Sequence, residues 1–260
     1  MNSKLRKLGL LKLLFLLMMS NQALAKSRLY CSYKTKAVGG GCFFKDMQLY
    51  DQLKVSNVHC APASAAMALS AITFGGVSYY TNSFVNKKFV YKSEVDRIKN
   101  FATYMGTGSG GSSWSGVKKY GNISNDIPKA TKNVDISSSN TINDSHLRSL
   151  VRRGETNVLD YGHYTETCSS LGEAQICSYS RSGGHVVAVN GYFYTTKSSY
   201  TSNIFNPWNG KEEHRDISYL PNKTDFLWFD LRPYNNRTHY LRKSGSAIKI
   251  IDFVAGVNTN

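Results

Sequence analysis

Small and apolar residues fill the segment that follows Cys60, and this pattern predicts a helix. Residues 63–71 are dominated by alanine, a strong helix former. Pro62 would stand in the first turn, where a helix tolerates proline, and the glycines at 75–76 end the pattern. We therefore predict a helix that begins near Cys60.

The rest of the chain divides into helical segments followed by strands. Polar and apolar residues at 93–105, 114–120 and 146–153 favour short helices, and a glycine-rich loop covers 106–111. Runs rich in Val, Ile, Phe and Tyr then predict strands at 157–161, 185–194, 225–231 and 247–254. Helices first and strands later predict an α+β protein, with N-terminal helices packed on a C-terminal antiparallel β-sheet.

The first 25 residues have the pattern of a signal peptide. Basic residues at 4–12 precede an apolar run at 13–19, and Ala23-Leu24-Ala25 supplies the small residues that a signal peptidase reads. The run is short for a permanent membrane helix, although an uncleaved anchor is the alternative. We expect cleavage after the segment 1–25, a secreted or periplasmic protein, and no transmembrane segment in the mature chain.

The charge of the chain limits the classes of partner. The formal net charge is +15, and removal of residues 1–25, which hold four basic and no acidic residues, leaves +11. Such an excess of positive charge favours binding to anionic surfaces, for example those of lipids or glycans. Neither an arginine-rich helix nor zinc-finger spacing occurs, so we expect no specific nucleic-acid partner. The glycine run 106–111 lacks the ending of a phosphate-binding loop.

The five cysteines suggest a disulfide framework, because the space beyond a signal peptide is oxidising. Local pairing of Cys31 with Cys42 and of Cys168 with Cys177 is the simplest assignment, although the connectivity stays open from sequence alone. The first pair lies in a looped lead-in at 26–50. No linker divides residues 51–260, so we predict one domain there.

Cys60 remains as the unpaired cysteine and is the candidate nucleophile. A helix N-terminus, a nearby imidazolium and partial exposure each favour the thiolate, so we expect a lowered thiol pKa. Its backbone N–H could help to stabilise an oxyanion. A buried and inert cysteine is the alternative. A metal site formed with His59 and His185 lacks an acid or a second cysteine at ligand spacing, so we expect no metal and no cofactor.

His185 is the candidate general base, and Asn206 is the candidate orienter of its ring. His185 stands at the mouth of an apolar strand, directly after Gly183 and Gly184, which would admit a substrate backbone. Asn206 follows in the motif Asn-Pro-Trp and could accept a hydrogen bond from the ring. An ordinary turn that begins at the Asn-Pro pair is the alternative for Asn206.

Together these motifs resemble the papain-like cysteine peptidases, and within them the bacterial peptidases similar to the double-glycine leader (bacteriocin-processing) peptidases. The resemblance rests on five segments, which cover most of residues 45 to 230: Cys60 to Met67, Gly106-Thr107, Leu147 to Gly154, Gly184 to Tyr192, and Asn206-Pro207-Trp208. It implies a papain-like fold and a Cys-His-Asn triad of Cys60, His185 and Asn206. The resemblance also implies a thioester intermediate and a peptide or protein substrate.

The chain departs from the family pattern at positions close to Cys60. Ala61 stands where the family usually has glycine, and Lys54 stands where it usually has the oxyanion-hole glutamine. Gln52 could serve instead if the intervening loop is longer. These departures leave an inactive homologue open, as well as an amidase, deamidase or transglutaminase on the same fold, or a basic module that binds anionic surfaces.

Overall fold

The protein is described by a computed structural model that covers residues 25–27, 29–32, 40–45, 47–74, 77–78, 93–113, 115–117, 119, 131–136, 142–171, 174–195, 200–215, 227–230, 239–242 and 249–258. The helices whose bounds the structure describes are α1 (Cys60–Ser70), α2 (Glu94–Met105) and α3 (Asp144–Arg152), and a 3-10 turn spans Gln52–Lys54. Residues 115–117 and 119 are also helical. The strands are β1 (Ala25–Ser27), β2 (Leu29–Ser32), β3 (Gly41–Phe44), β4 (Ile72–Phe74), β5 (Val77–Ser78), β6 (Thr131–Ile136), β7 (Thr156–Leu171), β8 (Ala174–Tyr194), β9 (Tyr200–Asn206), β10 (Lys211–Arg215), β11 (Leu227–Asp230), β12 (His239–Arg242) and β13 (Lys249–Asn258).

One large antiparallel sheet organises the fold. Among the described residues it has ten strands, six of which follow the order β10-β9-β8-β7-β13-β6, while the hairpins β2–β3 and β11–β12 attach to β8. A smaller sheet joins β1, β4 and β5. Helices packed on an antiparallel sheet make an α+β protein, so the predicted α+β class is confirmed. The predicted order of helices first and strands later holds only in part, since β2 and β3 precede α1 and β6 precedes α3.

Helix α1 forms the centre of the hydrophobic core. Every residue from Ala61 to Ser70 is buried, which fits a segment with small or apolar side chains on all sides. Its alanines let α2, β7 and β8 approach the helix closely, and it contacts all of these elements. The prediction of a helix that begins near Cys60 is confirmed.

Helices α2 and α3 begin and end where local chemistry favours a helix terminus. Ser93 caps α2 by accepting a hydrogen bond from the Asp96 N–H, and Gly106 ends it in the left-handed conformation at φ 66°. Asn143 caps α3 in the same way. The buried residues of α2 recur at the spacing of one helical face: Ile98, Phe101, Ala102 and Met105.

Strands β7 and β8 form a hairpin that is much longer than the sequence pattern indicated. The predicted strands at 157–161 and 185–194 are its inner parts, which are buried, whereas pairing continues out to Leu171 and Ala174. Residues 167–170 in this outer arm are polar and exposed, so they lack the apolar alternation that predicts a strand. Backbone hydrogen bonds with the opposite strand hold the arm together, and Cys168 within it is disulfide-bonded.

The described part of the lead-in is joined to the sheet by a disulfide-linked hairpin. Cys31 and Cys42 face each other on β2 and β3 and form a disulfide with a Cα–Cα distance of 4.1 Å. Strand β3 then pairs with β8, with Gly41 opposite Phe193. The predicted boundary between this segment and a domain at 51–260 stays a prediction.

The predicted signal peptide lies outside the described residues except for Ala25. Among the helices that the structure describes, none combines the length and the hydropathy needed to cross a membrane. The cleavage of residues 1–25 therefore remains an expectation from sequence.

Candidate active site

Cys60 is the first residue of α1 and is partly buried at the edge of the sheet. Its sulfur receives hydrogen bonds from the backbone N–H groups of Val186 and Ala61, and the dipole of its own N–H also favours the thiolate. Val186 directly follows His185 on β8. The fold therefore brings the candidate nucleophile against the strand segment that carries the candidate base.

Helix α1 takes the place of a neighbouring strand at this point of β8. The N–H of Val186 bonds the Cys60 sulfur, and the Ser64 hydroxyl donates to the Val186 carbonyl at 2.8 Å in a buried position. Cys60 and Ser64 are four residues apart and therefore share one face of the helix. Both backbone polar groups of Val186 at this edge are thus satisfied by side chains from one helical face.

His185 and Asn206 are joined by a side-chain hydrogen bond in a buried setting. The distance from His185 Nε2 to Asn206 Oδ1 is 2.8 Å, and the two residues are 8% and 9% exposed. An amide oxygen only accepts hydrogen bonds, so Nε2 carries the proton and Nδ1 is the nitrogen able to take one. This geometry suits a base whose tautomer is held by an orienting residue.

Two aromatic rings hold the imidazole of His185 in place. Tyr161, the partner of His185 across β7 and β8, contacts it edge-on with ring centroids 5.7 Å apart. Trp208 contacts it in the same manner at 6.3 Å and is 48% exposed. The ring is therefore fixed from two sides, and Trp208 limits the access of water to the bond with Asn206.

The predicted lowering of the Cys60 pKa is wrong in direction. Burial raises the pKa of this thiol, and the Asp160 carboxylate adds to the rise, while the N–H donors of Val186, Ala61 and Cys60 oppose it. Desolvation penalises a thiolate in the protein interior more than the three N–H groups compensate. Burial of the sulfur therefore favours the protonated thiol over the thiolate.

Gln52 is completely buried between two loops near the candidate triad. Its backbone N–H donates to the Pro207 carbonyl at 2.8 Å, and its Nε2 donates to the Asn57 carbonyl at 3.0 Å. Its Oε1 has no hydrogen-bond partner among the described residues. Lys54, at the position of the usual family glutamine, is bound to Glu94 at 2.7 Å on the exposed side of α2.

Of the two glycines before His185, only Gly183 leaves open space. A Cβ on Gly183 would meet nothing within 4 Å, whereas a Cβ on Gly184 would lie 2.0 Å from Nη2 of Arg181. The expectation that both glycines admit a substrate backbone is therefore wrong for Gly184, whose missing side chain makes room for a guanidinium.

That guanidinium belongs to an ionic cluster with two buried carboxylates, which the sequence pattern did not reveal. Arg181 bonds Asp252 at 2.9 Å and lies 3.5 Å from Asp160, and both carboxylates are almost fully buried. Tyr164 donates to Asp252 at 2.7 Å, and burial together with this hydrogen bond raises the pKa of its phenol. Since side chains alternate along a strand, Asp160 and Gly184 lie on the sheet face opposite to His185.

The remaining candidate residues are Cys168, which was expected in a disulfide, and His59, which directly precedes Cys60 as the N-cap of α1. Cys168 is disulfide-bonded and is the cross-strand partner of Cys177 in the register of β7 and β8. The ring of His59, proposed as an alternative metal ligand, is bonded through Nδ1 to the Ser56 hydroxyl at 2.5 Å. Within the described ranges, no cluster of His, Cys, Asp and Glu has the arrangement of a metal site.

A comparison with protein families finds a match that covers most of the chain. The model of the Peptidase_C39-like family matches residues 44–228, which include Cys60, His185 and Asn206. The chain belongs to the Peptidase_C39-like family. This membership relates it to the papain-like cysteine peptidases and supports a peptidase-like hydrolase at the level of the family. A search of curated protein sequences finds no significant match.

Proposed function

We propose that this Peptidase_C39-like protein has a papain-like fold and is a secreted cysteine peptidase with a triad of Cys60, His185 and Asn206. The observation that carries the proposal is the hydrogen bond between His185 Nε2 and Asn206 Oδ1, with the Cys60 sulfur bound to the backbone N–H of the next residue, Val186. The base, its orienter and the thiol thus meet at one edge of β8.

In the proposed reaction, the sulfur of Cys60 attacks the carbonyl carbon of an amide while its proton moves to Nδ1 of His185. His185 then gives this proton to the leaving amine, and a thioester remains on Cys60. Water hydrolyses the thioester with His185 again as the base. Because burial raises the thiol pKa, proton removal by His185 accompanies the attack and is not completed beforehand.

The oxyanion would be stabilised by the backbone N–H of Cys60 at the tip of α1 and by Gln52. The Gln52 amide carries two protons on Nε2, and the bond to Asn57 uses one of them. The second proton is the donor that we assign to the oxyanion. Leu53 and Trp208 are each about half exposed on the two segments that the Gln52–Pro207 bond joins, and they offer apolar contact area to a peptide.

The first test measures whether His185 activates Cys60, and it needs no known substrate. The rate constant for alkylation of Cys60 by iodoacetamide at pH 7 is compared between the wild type and His185→Ala, with the site of modification mapped by mass spectrometry. We expect the wild type to react about a hundredfold faster, the typical contribution of a positioned base. His163→Ala, on the same hairpin, is the matched control and should react like the wild type.

The second test concerns the bond that is cleaved. The mature protein is incubated with a mixed peptide library, and new termini are identified by mass spectrometry with Cys60→Ser as the control. Cleavage that is lost in Cys60→Ser, while the variant still folds, is the expected result. Equal products from both proteins, or equal alkylation of the wild type and His185→Ala, would contradict the proposal.

A further inference from the structure

Besides the contact of its oxygen with His185, the side-chain amide of Asn206 makes a second contact through its nitrogen, which no sequence motif predicted. Its Nδ2 donates to Oε1 of Glu213 at 2.8 Å, and Glu213 is half-buried. The Oδ1 end accepts from His185 at 2.8 Å and from the Trp208 N–H at 3.0 Å. A chain of hydrogen bonds therefore runs from the imidazole through the amide to a carboxylate.

The hairpin of β9 and β10 produces this contact. Asn206 pairs with Lys211 across the turn, and Glu213 pairs with Ile204. Because side chains alternate along a strand, Lys211 and Glu213 share the face of Asn206, and Glu213 is its diagonal neighbour. Gly210, at φ 59°, closes the tight turn that sets this register.

An asparagine amide has a donor end and an acceptor end, and only one orientation serves His185. If the amide of Asn206 turned over, its NH₂ group would face the N–H groups of His185 and Trp208. Its oxygen would then face the carboxylate of Glu213. All three contacts would become repulsive, so Glu213 opposes the rotation that would leave the imidazole without an acceptor.

We propose that Glu213 is a positioning residue of the active site: its carboxylate locks the amide of Asn206 with the oxygen towards His185, and so holds the imidazole in the tautomer that accepts the Cys60 proton. The inference rests on the proposed function, since it assigns a role in the same reaction. A hydrogen bond to a charged acceptor is stronger than one between neutral groups, which suits this role.

The chain offers a matched control on the same two strands. Asn203 Nδ2 donates to Oε1 of Glu212, also at 2.8 Å, and this pair is likewise diagonal in the register. Glu212 lies on the opposite face from Glu213 because the two are adjacent on β10. Its contact thus has the same chemistry without the link to His185.

The experiment measures the alkylation of Cys60 by iodoacetamide at pH 7 in a set of variants, relative to His185→Ala. In Glu213→Leu, the part of the alkylation rate that depends on His185 should fall about tenfold. Glu213→Gln can still accept a hydrogen bond from Asn206, so its rate should stay close to that of the wild type. Glu212→Leu should react like the wild type. Equal rates in Glu213→Leu and the wild type, or an equal loss in Glu212→Leu, would overturn the inference.

Exchanging the carboxylate and the amide between positions 206 and 213 gives a second measurement, and a merely structural role of Glu213 would not affect its result. Asn206→Asp places a carboxylate against that of Glu213 and should slow alkylation, whereas adding Glu213→Gln supplies a donor to the new aspartate and should restore at least part of the rate. No gain in the double variant over Asn206→Asp would count against the lock. If Glu213 only supported the fold, the losses of alkylation rate in the two single variants would add up in the double variant.

A third measurement separates failure of the inference from failure of the proposed function. In a proton–nitrogen correlation spectrum, the side-chain NH₂ signals of Asn206 are identified by their loss in Asn206→Asp. They should shift clearly in Glu213→Leu and not in Glu212→Leu. If the wild type and His185→Ala react equally, the peptidase proposal fails, and unchanged NH₂ signals in Glu213→Leu would then overturn the lock independently.

Discussion

The hydroxyl of Ser64 and the backbone carbonyl of Val186 form a buried hydrogen bond of 2.8 Å between residues 122 positions apart in the chain. Val186 also donates its N–H to the Cys60 sulfur. One residue of β8 therefore anchors α1 at two points, and it does so next to His185. The position of Cys60 relative to His185 therefore depends on this junction.

Ser64→Ala should weaken the junction and reduce both stability and reactivity. The carbonyl of Val186 would lose its buried donor, which costs about 1–3 kcal/mol in the free energy of unfolding. Urea unfolding measures this loss, and the alkylation rate of Cys60 at pH 7 should fall with it. Ser70→Ala is the control, since the Ser70 hydroxyl is buried in the same helix but bonds Met67 and Gln48. It should lower stability and leave the alkylation rate unchanged.

The raised pKa of Cys60 predicts the pH dependence of its alkylation in His185→Ala. Without the base, the rate follows the fraction of thiolate, and burial keeps the thiol protonated to higher pH. The midpoint of the rise should lie above that of an ordinary cysteine, about pH 8.5. Unfolding the variant in urea should return the midpoint to the ordinary value. A folded midpoint below that of the unfolded chain would show that the helix tip outweighs desolvation.

Alanine at Gly184 and at Gly183 should have opposite consequences. A Cβ at Gly184 would lie 2.0 Å from the guanidinium of Arg181, which is held by two buried carboxylates and cannot move away without losing them. Breaking an ion pair of this kind costs about 3 kcal/mol. Gly183→Ala has open space around its Cβ and should change the free energy of unfolding by less than about 0.5 kcal/mol. Urea unfolding measures the free energy of unfolding of the two variants. Similar losses of stability in both would argue against a role for Arg181.

The same cluster can be tested against an exposed ion pair. Arg181→Met should destabilise the protein by about 3 kcal/mol, because Asp160 and Asp252 would remain buried without their cation. Lys54→Met removes the partner of Glu94 from a pair whose lysine is more than half exposed, and it should cost at most about 1 kcal/mol. Equal costs would mean that solvent already screens the cluster.

The disulfide between Cys31 and Cys42 should contribute to stability without affecting the reactivity of Cys60. It closes a sequence separation of 11 residues, and the loss of this constraint should cost about 3 kcal/mol. A double Cys31→Ala/Cys42→Ala variant should therefore melt about 6–12 °C lower in a thermal scan. Its alkylation rate at 25 °C should match the wild type, since β3 contacts β8 at residues 191–193, beyond His185. A slower rate would mean that the lead-in also positions the active site.

The elements that depend on local chemistry could be predicted from the sequence. Alanine content and Pro62 predicted α1, and Ser93 and Gly106 delimit α2 as capping residues do. The α+β class followed from the order of these patterns. Cys60, His185 and Asn206 could be proposed because each stands beside a local signal: a helix start, a strand start and an Asn-Pro turn.

The features that depend on distant neighbours could not be predicted in this way. The pKa of Cys60 has the opposite shift to that expected, because desolvation comes from all the groups packed around the sulfur, whereas the helix tip is a local effect. Gly184 makes room for Arg181 only because β7 and β13 bring Asp160 and Asp252 to it. Glu213 reaches Asn206 through the register of a hairpin.

The sequence by itself thus predicted α1, α2 and the inner parts of β7 and β8, and it supplied Cys60, His185 and Asn206 as candidates, since both kinds of inference follow from residues adjacent in the chain. The tertiary structure decided how those side chains are solvated and which groups orient them. Hydrogen bonds, burial and charge act over distances in space, and the chain order does not contain those distances until the sheet and α1 have packed together.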